Sequence, residues 1–331
     1  MGSELALARY LDQIGVSVRI LNSDPAPYTL DWLPGARRLE MFDGSLAQRE
    51  AVATADVVAI LDTNSEERLG SLGAAVRASS ALKLLIDHHT APENWFDQTY
   101  RDEATSSTGQ LIFNIVAADD PDLIDHEMAT ALYVAIMTDT GSFRFSNVTP
   151  AVHRAVATIL EKGDIDPAPI HAEIFDKRSL SGIKLLSRVL QTLTVAHGGR
   201  VAWMVVSSRS LNDTGASAEE TEGFVNWGLS IEGVRVALIF TETEKGTKVS
   251  FRSKGTAHVH TWAQALGGGG HPNASGAFVR RPLEDVIQSV LGQAPRYLGE
   301  DETADESDFL GVEDEAYLVS LMNLQNRVKR T

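Results

Sequence analysis

The sequence predicts an α/β protein in two folded parts, a larger N-terminal domain on a parallel β-sheet and a smaller α+β domain. Three observations support this. The 331 residues are 43% hydrophobic and 22% charged, as in ordinary globular proteins. In the first half, short strands that are apolar throughout alternate with helical segments, which is typical of a parallel sheet covered on both faces. After residue 196 the strands are joined by a short polar turn instead.

The N-terminal elements follow from hydrophobic periodicity, with leucine and alanine at helical spacing near the start and uninterrupted apolar residues in the strands. We predict strands at residues 17–21, 56–61 and 82–86, and helices at residues 3–14, 65–79, 106–116, 127–137 and 150–161. Asp62 and Asp87 directly follow two of these strands. The carboxyl edge of an open parallel sheet is where ligands bind, so both side chains are candidates for a site.

The second half predicts a long connecting helix and then a compact domain. Its elements are a strand at residues 201–206, a helix at 218–227, and a hairpin of strands at 234–241 and 248–252. Residues 300–315 carry nine acidic side chains and no basic one, which is typical of a solvated linker, and a short helix is predicted at 316–329. The expected boundaries are residues 1–178, a connecting helix at 179–195, a second domain at 196–292, and a linker with tail at 293–331.

Charge and composition exclude several classes of function. The formal net charge of −16 leaves no basic surface that could hold long duplex nucleic acid by neutralising its phosphates. The absence of cysteine excludes disulfides, thiolate zinc sites and thiol catalysis. The start lacks the pattern of a signal peptide, and no apolar run reaches about 18 residues. We therefore expect a cytoplasmic protein that makes no membrane contact.

Three polar segments in the first half suggest a metal site. The tripeptide Asp87-His88-His89 leaves a strand, Asp62 leaves another, and Asp139 ends an apolar helix before a glycine turn. Carboxylate oxygens and imidazole suit manganese, magnesium or iron, and carboxylates shared by two cations would activate a water for attack on phosphorus. The alternative is that these residues only cap helices or form a polar turn.

A glycine run in the second half suggests an anion site. Residues 267–270 are four consecutive glycines followed by His271, and consecutive backbone N–H groups can approach an anion closely there. Upstream, the strand ending at Arg252-Ser253-Lys254 carries two cations. A flexible linker is the alternative interpretation of the glycines. Together the two halves suggest that one supplies metals and the other binds a phosphate.

Ordered motifs in both halves carry a family resemblance. They are the tripeptide DHH, TDTGSFRFSN around Asp139, EGFVN at residues 222–226, SFRSKG at 250–255 and GGGGHPNASG at 267–276. With these, the chain from residue 2 to about 290 resembles the DHH phosphoesterase superfamily with its DHH-associated C-terminal domain. Within that superfamily it is most similar to bifunctional oligoribonuclease/PAP phosphatases of the NrnA type, where PAP is 3′-phosphoadenosine 5′-phosphate.

The resemblance implies roles for five N-terminal residues. Asp62 matches the carboxylate that bridges two metals, His88 a ligand of one metal, and Asp139 the later metal-binding aspartate. His89 would face the scissile phosphate and protonate or polarise the leaving oxygen, while Asp87 would orient the histidine pair. The implied cofactor is Mn²⁺ in a two-metal site, with Mg²⁺ or Co²⁺ as alternatives.

In the second domain the resemblance implies contacts with the far phosphate or sugar of the substrate. The residues concerned are Arg252, Ser253, Gly268, Gly269, Gly270 and His271. Residues 105–108, with the sequence TSST, resemble a helix start that lines the first domain, and no catalytic role is expected for them.

The chain departs from the family pattern at its first residue. Family members have a strand there that ends in a histidine followed by an Asp-x-Asp pair, whereas here Met1 directly precedes the matching Gly2-Ser3. Three ligand residues are few for two metal ions. The N-terminal strand that family members have would also pair inside the parallel sheet. A chain extended by roughly 25 to 40 residues is therefore expected to melt at a higher temperature and hydrolyse PAP faster.

The favoured function is hydrolysis of short oligoribonucleotides and PAP, so the expected partners are short single-stranded RNA or small phosphorylated nucleotides. One alternative is a phosphodiesterase for cyclic dinucleotides or their linear products. A pyrophosphatase of the DHH type is disfavoured, because that branch has a different C-terminal domain without Gly-Gly-Gly-His. Another alternative is a degenerate protein that binds nucleotides without turnover. The oligomeric state is open, and a homodimer is one candidate.

Overall fold

The computed structural model describes residues 1–89 and 92–298, and the chain divides into two compact units, Met1–Lys177 and a second that begins at Arg178. The acidic linker and the C-terminal helix predicted at 300–315 and 316–329 lie outside the described residues. Among the described helices, none combines the length and the apolar character that a membrane span requires.

The N-terminal unit contains seven α-helices and five strands within the described residues. In chain order they are α1 (Gly2–Gln13), β1 (Ile20–Asn22), β2 (Leu39–Met41), α2 (Leu46–Thr54), β3 (Val57–Leu61), α3 (Gly73–Ala78), β4 (Leu82–Asp87), β5 (Gln98–Arg101), α4 (Thr108–Asp119), α5 (His126–Asp139), α6 (Pro150–Gly163) and α7 (Pro167–Phe175). All strand pairs are parallel, which confirms the predicted α/β class. They form two sheets, β1-β2 and β3-β4-β5.

Helix α5 is the centre of the N-terminal core. Every residue from Met128 to Met137 is buried, and α1, α4 and α6 pack against this helix. A helix that is apolar on all sides must be covered on all sides, and these three neighbours provide the cover. Because Asp139 is the last residue of α5, the packing of the core also fixes the backbone position from which its carboxylate extends.

The second unit is built on one six-stranded sheet. Its elements are α8 (Leu180–Leu190), β6 (Thr194–Ala196), β7 (Val201–Val206), α9 (Ser208–Thr214), α10 (Val225–Leu229), β8 (Val236–Thr243), β9 (Gly246–Ser253), α11 (Val259–Ala265), β10 (Gly269–His271), β11 (Ala274–Val279) and α12 (Leu283–Gln293). The strand order is β10-β11-β9-β8-β7-β6, with only the β7-β8 pair parallel. The predicted β8-β9 hairpin is confirmed, and Trp203, Phe240 and Phe251 are buried in the core.

Glycines explain two differences from the predicted helices. The helix predicted at 65–79 is a 3-10 segment, Glu67–Leu72, followed by α3, because Gly70 adopts a left-handed φ of 54° that no continuous helix allows. The helix predicted at 218–227 is likewise divided into a 3-10 turn, Ala218–Thr221, and α10, with Gly223 at φ 79° between them.

Two further elements are shorter than predicted. The strand predicted at residues 17–21 is only Ile20–Asn22. The connecting helix predicted at 179–195 ends at Leu190, after which residues 194–196 form the edge strand β6. A continuous amphipathic pattern can be satisfied by a helix and a following half-buried strand, so periodicity alone did not separate them.

The contact between α4 and α5 provides a test of the N-terminal packing. A Cβ at Gly109 would lie 2.6 Å from Cβ of Ala135, whereas a Cβ at Gly292 on α12 would meet nothing within 4 Å. Alanine favours helices over glycine by about 1 kcal/mol. We therefore expect Gly292→Ala to be neutral or stabilising, while Gly109→Ala destabilises by about 1–3 kcal/mol through overpacking. Urea unfolding of both variants checks this, and equal effects would contradict the close α4–α5 contact.

A candidate metal centre in the N-terminal unit

The carboxyl ends of β3 and β4 bring Asp62 beside the DHH tripeptide. Leu61 pairs with Ile86 across the two strands, and the backbone N–H of Asp62 donates to the carbonyl of Ile86 at 3.1 Å. Asp62 adopts a left-handed backbone with φ of 60°. Such a conformation costs a non-glycine residue about 1–3 kcal/mol and persists where the surrounding structure enforces it. The strain therefore marks Asp62 as a residue held for its position.

Asp139 reaches the same point from the end of α5. The Nε2 atom of His88 lies 3.6 Å from Oδ1 of Asp62 and 3.5 Å from Oδ2 of Asp139. One ligand atom from each of the three residues falls within 4.8 Å of the others. Bonds of about 2.1 Å from one ion place its neighbouring ligand atoms about 3 Å apart and opposite ones about 4 Å apart. The three side chains therefore have the spacing of a metal-ligand set.

His88 is held in an orientation that suits a ligand. Its side chain is 7% exposed, and its Nδ1 atom lies 3.4 Å from the carbonyl oxygen of Thr105. A hydrogen bond from Nδ1–H to a carbonyl selects the tautomer that presents Nε2 to a metal. Burial, the main cause, lowers the pKa of His88, which favours the neutral form that can coordinate.

The two carboxylates need a cation between them. Burial first, and then the negative charge of Asp62, raise the pKa of Asp139 to about 7. Placing like charges close together in a half-buried site is unfavourable unless a positive charge compensates them. Two carboxylate oxygens and one imidazole nitrogen are the ligands that manganese, magnesium, iron and zinc accept. The donor set therefore fits a divalent cation.

Asp87 and His89 form a hydrogen-bonded pair beside these ligands. Asp87 is fully buried, and its Oδ1 atom lies 2.6 Å from Nδ1 of His89 and accepts the backbone N–H of His88 at 2.8 Å. Burial opposes ionisation of Asp87, but the hydrogen bond and charge of His89 outweigh it and lower the pKa of Asp87. An ionised Asp87 fixes the orientation of the His89 ring through this hydrogen bond.

The second unit places Arg252 and His271 in one row of its sheet. Arg252 on β9 pairs with Ala274 on β11, and Ala274 pairs with His271 on β10. Burial lowers the pKa of Arg252, partly opposed by the charge of Glu222, and its guanidinium donates to the carbonyl of Phe251 at 2.9 Å. A half-buried cation that faces one acidic side chain has capacity left for an anionic ligand.

The second half of the glycine run, Gly269 and Gly270, belongs to strand β10, and Gly267 lies in the turn before it. Gly268 and Gly270 lie against the backbone of β11, where a Cβ would meet backbone oxygens at 2.1 and 2.5 Å, whereas a Cβ at Gly269 would meet nothing within 4 Å. The hydroxyl of Ser253 donates to the carbonyl of Ala257 and accepts from Asn273 at 2.9 Å. Gly268, Gly270 and Ser253 thus have structural reasons for their identity, and Gly269 leaves open space.

Thr108 and Asn147 are two residues at the metal centre to which the sequence analysis gave no role. The hydroxyl of Thr108 donates to Oδ1 of Asp62 at 2.9 Å, and the amide of Asn147 donates to the carbonyl of Ser106 at 2.9 Å. Ser107 and Gln110 follow the S-x-x-Q capping pattern, which predicts that a helix starts here. The pattern does not predict that Thr108 contacts Asp62 at the end of β3.

Comparisons with known proteins relate the chain to one family. The model of the DHH family, N-terminal domain, matches residues 1–136, and the model of the DHHA1 domain matches residues 198–300. The bifunctional oligoribonuclease and PAP phosphatase NrnA of Thermus thermophilus is 31% identical over 308 residues, covering 89% of this chain and 86% of the relative. The protein of the same name from Bacillus subtilis is 28% identical over 230 residues, covering 67% and 70%.

A solved structure is similar over nearly the same length. The exopolyphosphatase-related protein from Bacteroides fragilis superposes with a TM-score of 0.84 at 29% sequence identity, covering 90% of this chain and 88% of that one.

Removing one carboxylate tests whether the three side chains form a metal site. In metal-free protein at pH 8, we expect Asp139→Asn to raise the melting temperature by about 2 °C or more, because repulsion with Asp62 is relieved. The same variant should lose the stabilisation that Mn²⁺ gives the wild type. Asp56→Asn, an exposed aspartate at the opposite end of β3, is the matched control and should change neither quantity. An unchanged Mn²⁺ effect in Asp139→Asn would remove Asp139 from the ligand set.

Proposed function

The chain belongs to the DHH family, and on that premise we propose that it is a metal-dependent phosphoesterase that hydrolyses short oligoribonucleotides and 3′-phosphoadenosine 5′-phosphate. The resemblance expected from the sequence motifs is thereby confirmed, and the proposed substrates are those in the names of relatives that are 28–31% identical. The observation that carries the proposal is the meeting of Asp62, His88 and Asp139 next to the Asp87–His89 pair.

The ligands in this proposal are Asp62, His88 and Asp139, and the cation is Mn²⁺. When bound, divalent cations neutralise charge on a phosphoryl group and make water acidic enough to act as a nucleophile. The side chain of Asp62 is 46% accessible, so this carboxylate would have room to be shared by two ions. His88 offers one nitrogen and Asp139 one half-buried oxygen.

His89 is the proton donor in the proposed reaction. As water attacks phosphorus, the bond from phosphorus to the leaving oxygen breaks, and that oxygen takes the proton on Nε2 of His89. The proton that the attacking water loses passes to solvent, from which His89 is protonated again. Asp87 holds Nδ1 at 2.6 Å and stabilises the ring while it is protonated. The pair therefore supplies a leaving-group proton that the acceptor-only carboxylates of the metal centre cannot supply.

The second unit would bind another phosphate or the sugar of the substrate through Arg252 and His271. Arg252 contributes a half-buried positive charge, and the open space at Gly269 permits close approach of a ligand to the backbone. The formal net charge of −16 disfavours long polyanions, which supports short substrates.

Replacing His88 tests the metal assignment and the reaction together. We expect His88→Ala to lose at least about 100-fold in Mn²⁺-dependent release of mononucleotides from a five-nucleotide RNA, because a ligand is gone. Metal content, measured by mass spectrometry after dialysis, should fall with it. His171→Ala, which removes an exposed histidine of α7, is the control and should behave as wild type. Near wild-type turnover of His88→Ala at saturating Mn²⁺ would refute the assignment.

Replacing His271 tests the role of the second unit. Its loss should raise KM for PAP, or lower kcat/KM, by about tenfold, which corresponds to one hydrogen bond to a charged group. Bound metal should remain at the wild-type amount. If the variant instead loses metal, His271 belongs among the ligands and the proposed division of roles is wrong.

A further inference from the structure

The turn formed by residues 105–108 has an unusual environment for a loop. It leads from β5 into α4, and all four of its polar side chains, Thr105, Ser106, Ser107 and Thr108, are buried, the last three completely. Connecting segments usually lie on the surface, and buried polar groups require hydrogen-bond partners. The partners of this turn include residues of the metal centre.

The turn contacts two of the three candidate ligands by hydrogen bonds and is connected to the backbone of the third through Asn147. Thr108 donates from Oγ1 to Oδ1 of Asp62 at 2.9 Å. The carbonyl of Thr105 faces Nδ1 of His88 at 3.4 Å. The contact to Asp139 runs through Asn147, whose Nδ2 atom lies 2.9 Å from the carbonyl of Ser106 and 3.4 Å from the carbonyl of Asp139.

The turn is itself held rigidly. The hydroxyl of Ser107 accepts the backbone N–H of Gln110 at 3.1 Å and caps α4. The side-chain oxygen of Gln110 accepts both the backbone N–H and the hydroxyl of Ser106, at 2.8 and 2.9 Å. Gly109 then brings α4 close to Ala135 on the buried helix α5. A hydroxyl at Thr108 is therefore fixed relative to the core and not only to its own loop.

From these contacts we infer that Thr108 is a positioning residue for the metal centre, setting the orientation of the Asp62 carboxylate before a cation binds. This inference rests on the proposed metal-dependent function. Asp62 needs such a restraint, because its side chain is 46% exposed and its backbone is strained. A donor on Oδ1 fixes the carboxylate plane and leaves lone pairs for a cation, so less ordering is required on binding.

The test compares variants that differ in one hydroxyl. Thr108→Val keeps the shape and removes the donor, whereas Thr108→Ser keeps the donor. Thr130→Val is the matched control, since Thr130 is a buried threonine of α5 whose hydroxyl donates only to the helix carbonyl of His126. Mn²⁺ affinity is measured by calorimetry on metal-free full-length protein, together with its melting temperature. The Mn²⁺ concentration for half-maximal PAP hydrolysis and kcat at saturating Mn²⁺ are measured separately.

We expect Thr108→Val to bind Mn²⁺ about 10- to 100-fold more weakly, as when other partners of metal ligands are lost, with its metal-free melting temperature close to that of Thr130→Val. Thr108→Ser and Thr130→Val should keep the wild-type affinity, and saturating Mn²⁺ should restore most of the kcat of Thr108→Val. Should Thr108→Val fail to fold, Thr108→Ala gives the same comparison without an added methyl group.

Two results would overturn this inference but leave the proposed function standing. One is wild-type Mn²⁺ affinity in Thr108→Val, and the other is an equal loss of affinity in Thr108→Val and Thr130→Val, which would indicate general destabilisation. A wild-type protein that binds no Mn²⁺ would instead overturn the proposed function, and the inference would fall with it.

Discussion

The N-terminal unit depends on holding two carboxylates, Asp62 and Asp139, around one imidazole. Like charges at this distance repel each other, and burial strengthens the effect, as the raised pKa of Asp139 indicates. A fold tolerates this arrangement only if rigid elements enforce it. Here the carboxyl end of β3 and the end of helix α5, which is buried from Met128 to Met137, do so. The unfavourable electrostatics are the reason that the site fits a cation.

Hydrogen bonds around the ligands complete this organisation. His88 and His89 each have Nδ1 next to an acceptor, the carbonyl of Thr105 for one and the carboxylate of Asp87 for the other. The proposed roles of the two adjacent histidines follow this difference: His88 as a ligand beside a neutral acceptor, and His89 as a proton donor beside a carboxylate. In the second unit, strand β9 carries the half-buried cation Arg252.

The sequence placed the candidate ligands together because they follow elements whose ends must converge. Asp62 and Asp87 each follow an apolar strand, and parallel neighbouring strands end at one edge, as the pairing of Leu61 with Ile86 shows. The role of Thr108 could not be predicted in this way. Its capping motif specifies local backbone geometry, whereas the contact with Asp62 depends on how α4 packs against α5 through Gly109.

Where the fold differs from expectation, the same sequence pattern is compatible with more than one structure. The glycines at 267–270 fit an exposed nest, but the backbone of β11 passes so close that Gly268 and Gly270 are required for strand pairing. The amphipathic stretch after residue 179 fits one helix, yet its last residues pair with β7. Such choices are made by long-range contacts, which periodicity does not contain.

The most direct measurement is a crystal structure of the metal-free protein after soaking in Mn²⁺, with diffraction recorded to show manganese by anomalous scattering. The account predicts an anomalous peak about 2.1–2.3 Å from a carboxylate oxygen of Asp62, Nε2 of His88 and a carboxylate oxygen of Asp139. Ordered density for these three side chains without such a peak, or a peak bound by other residues alone, would contradict it.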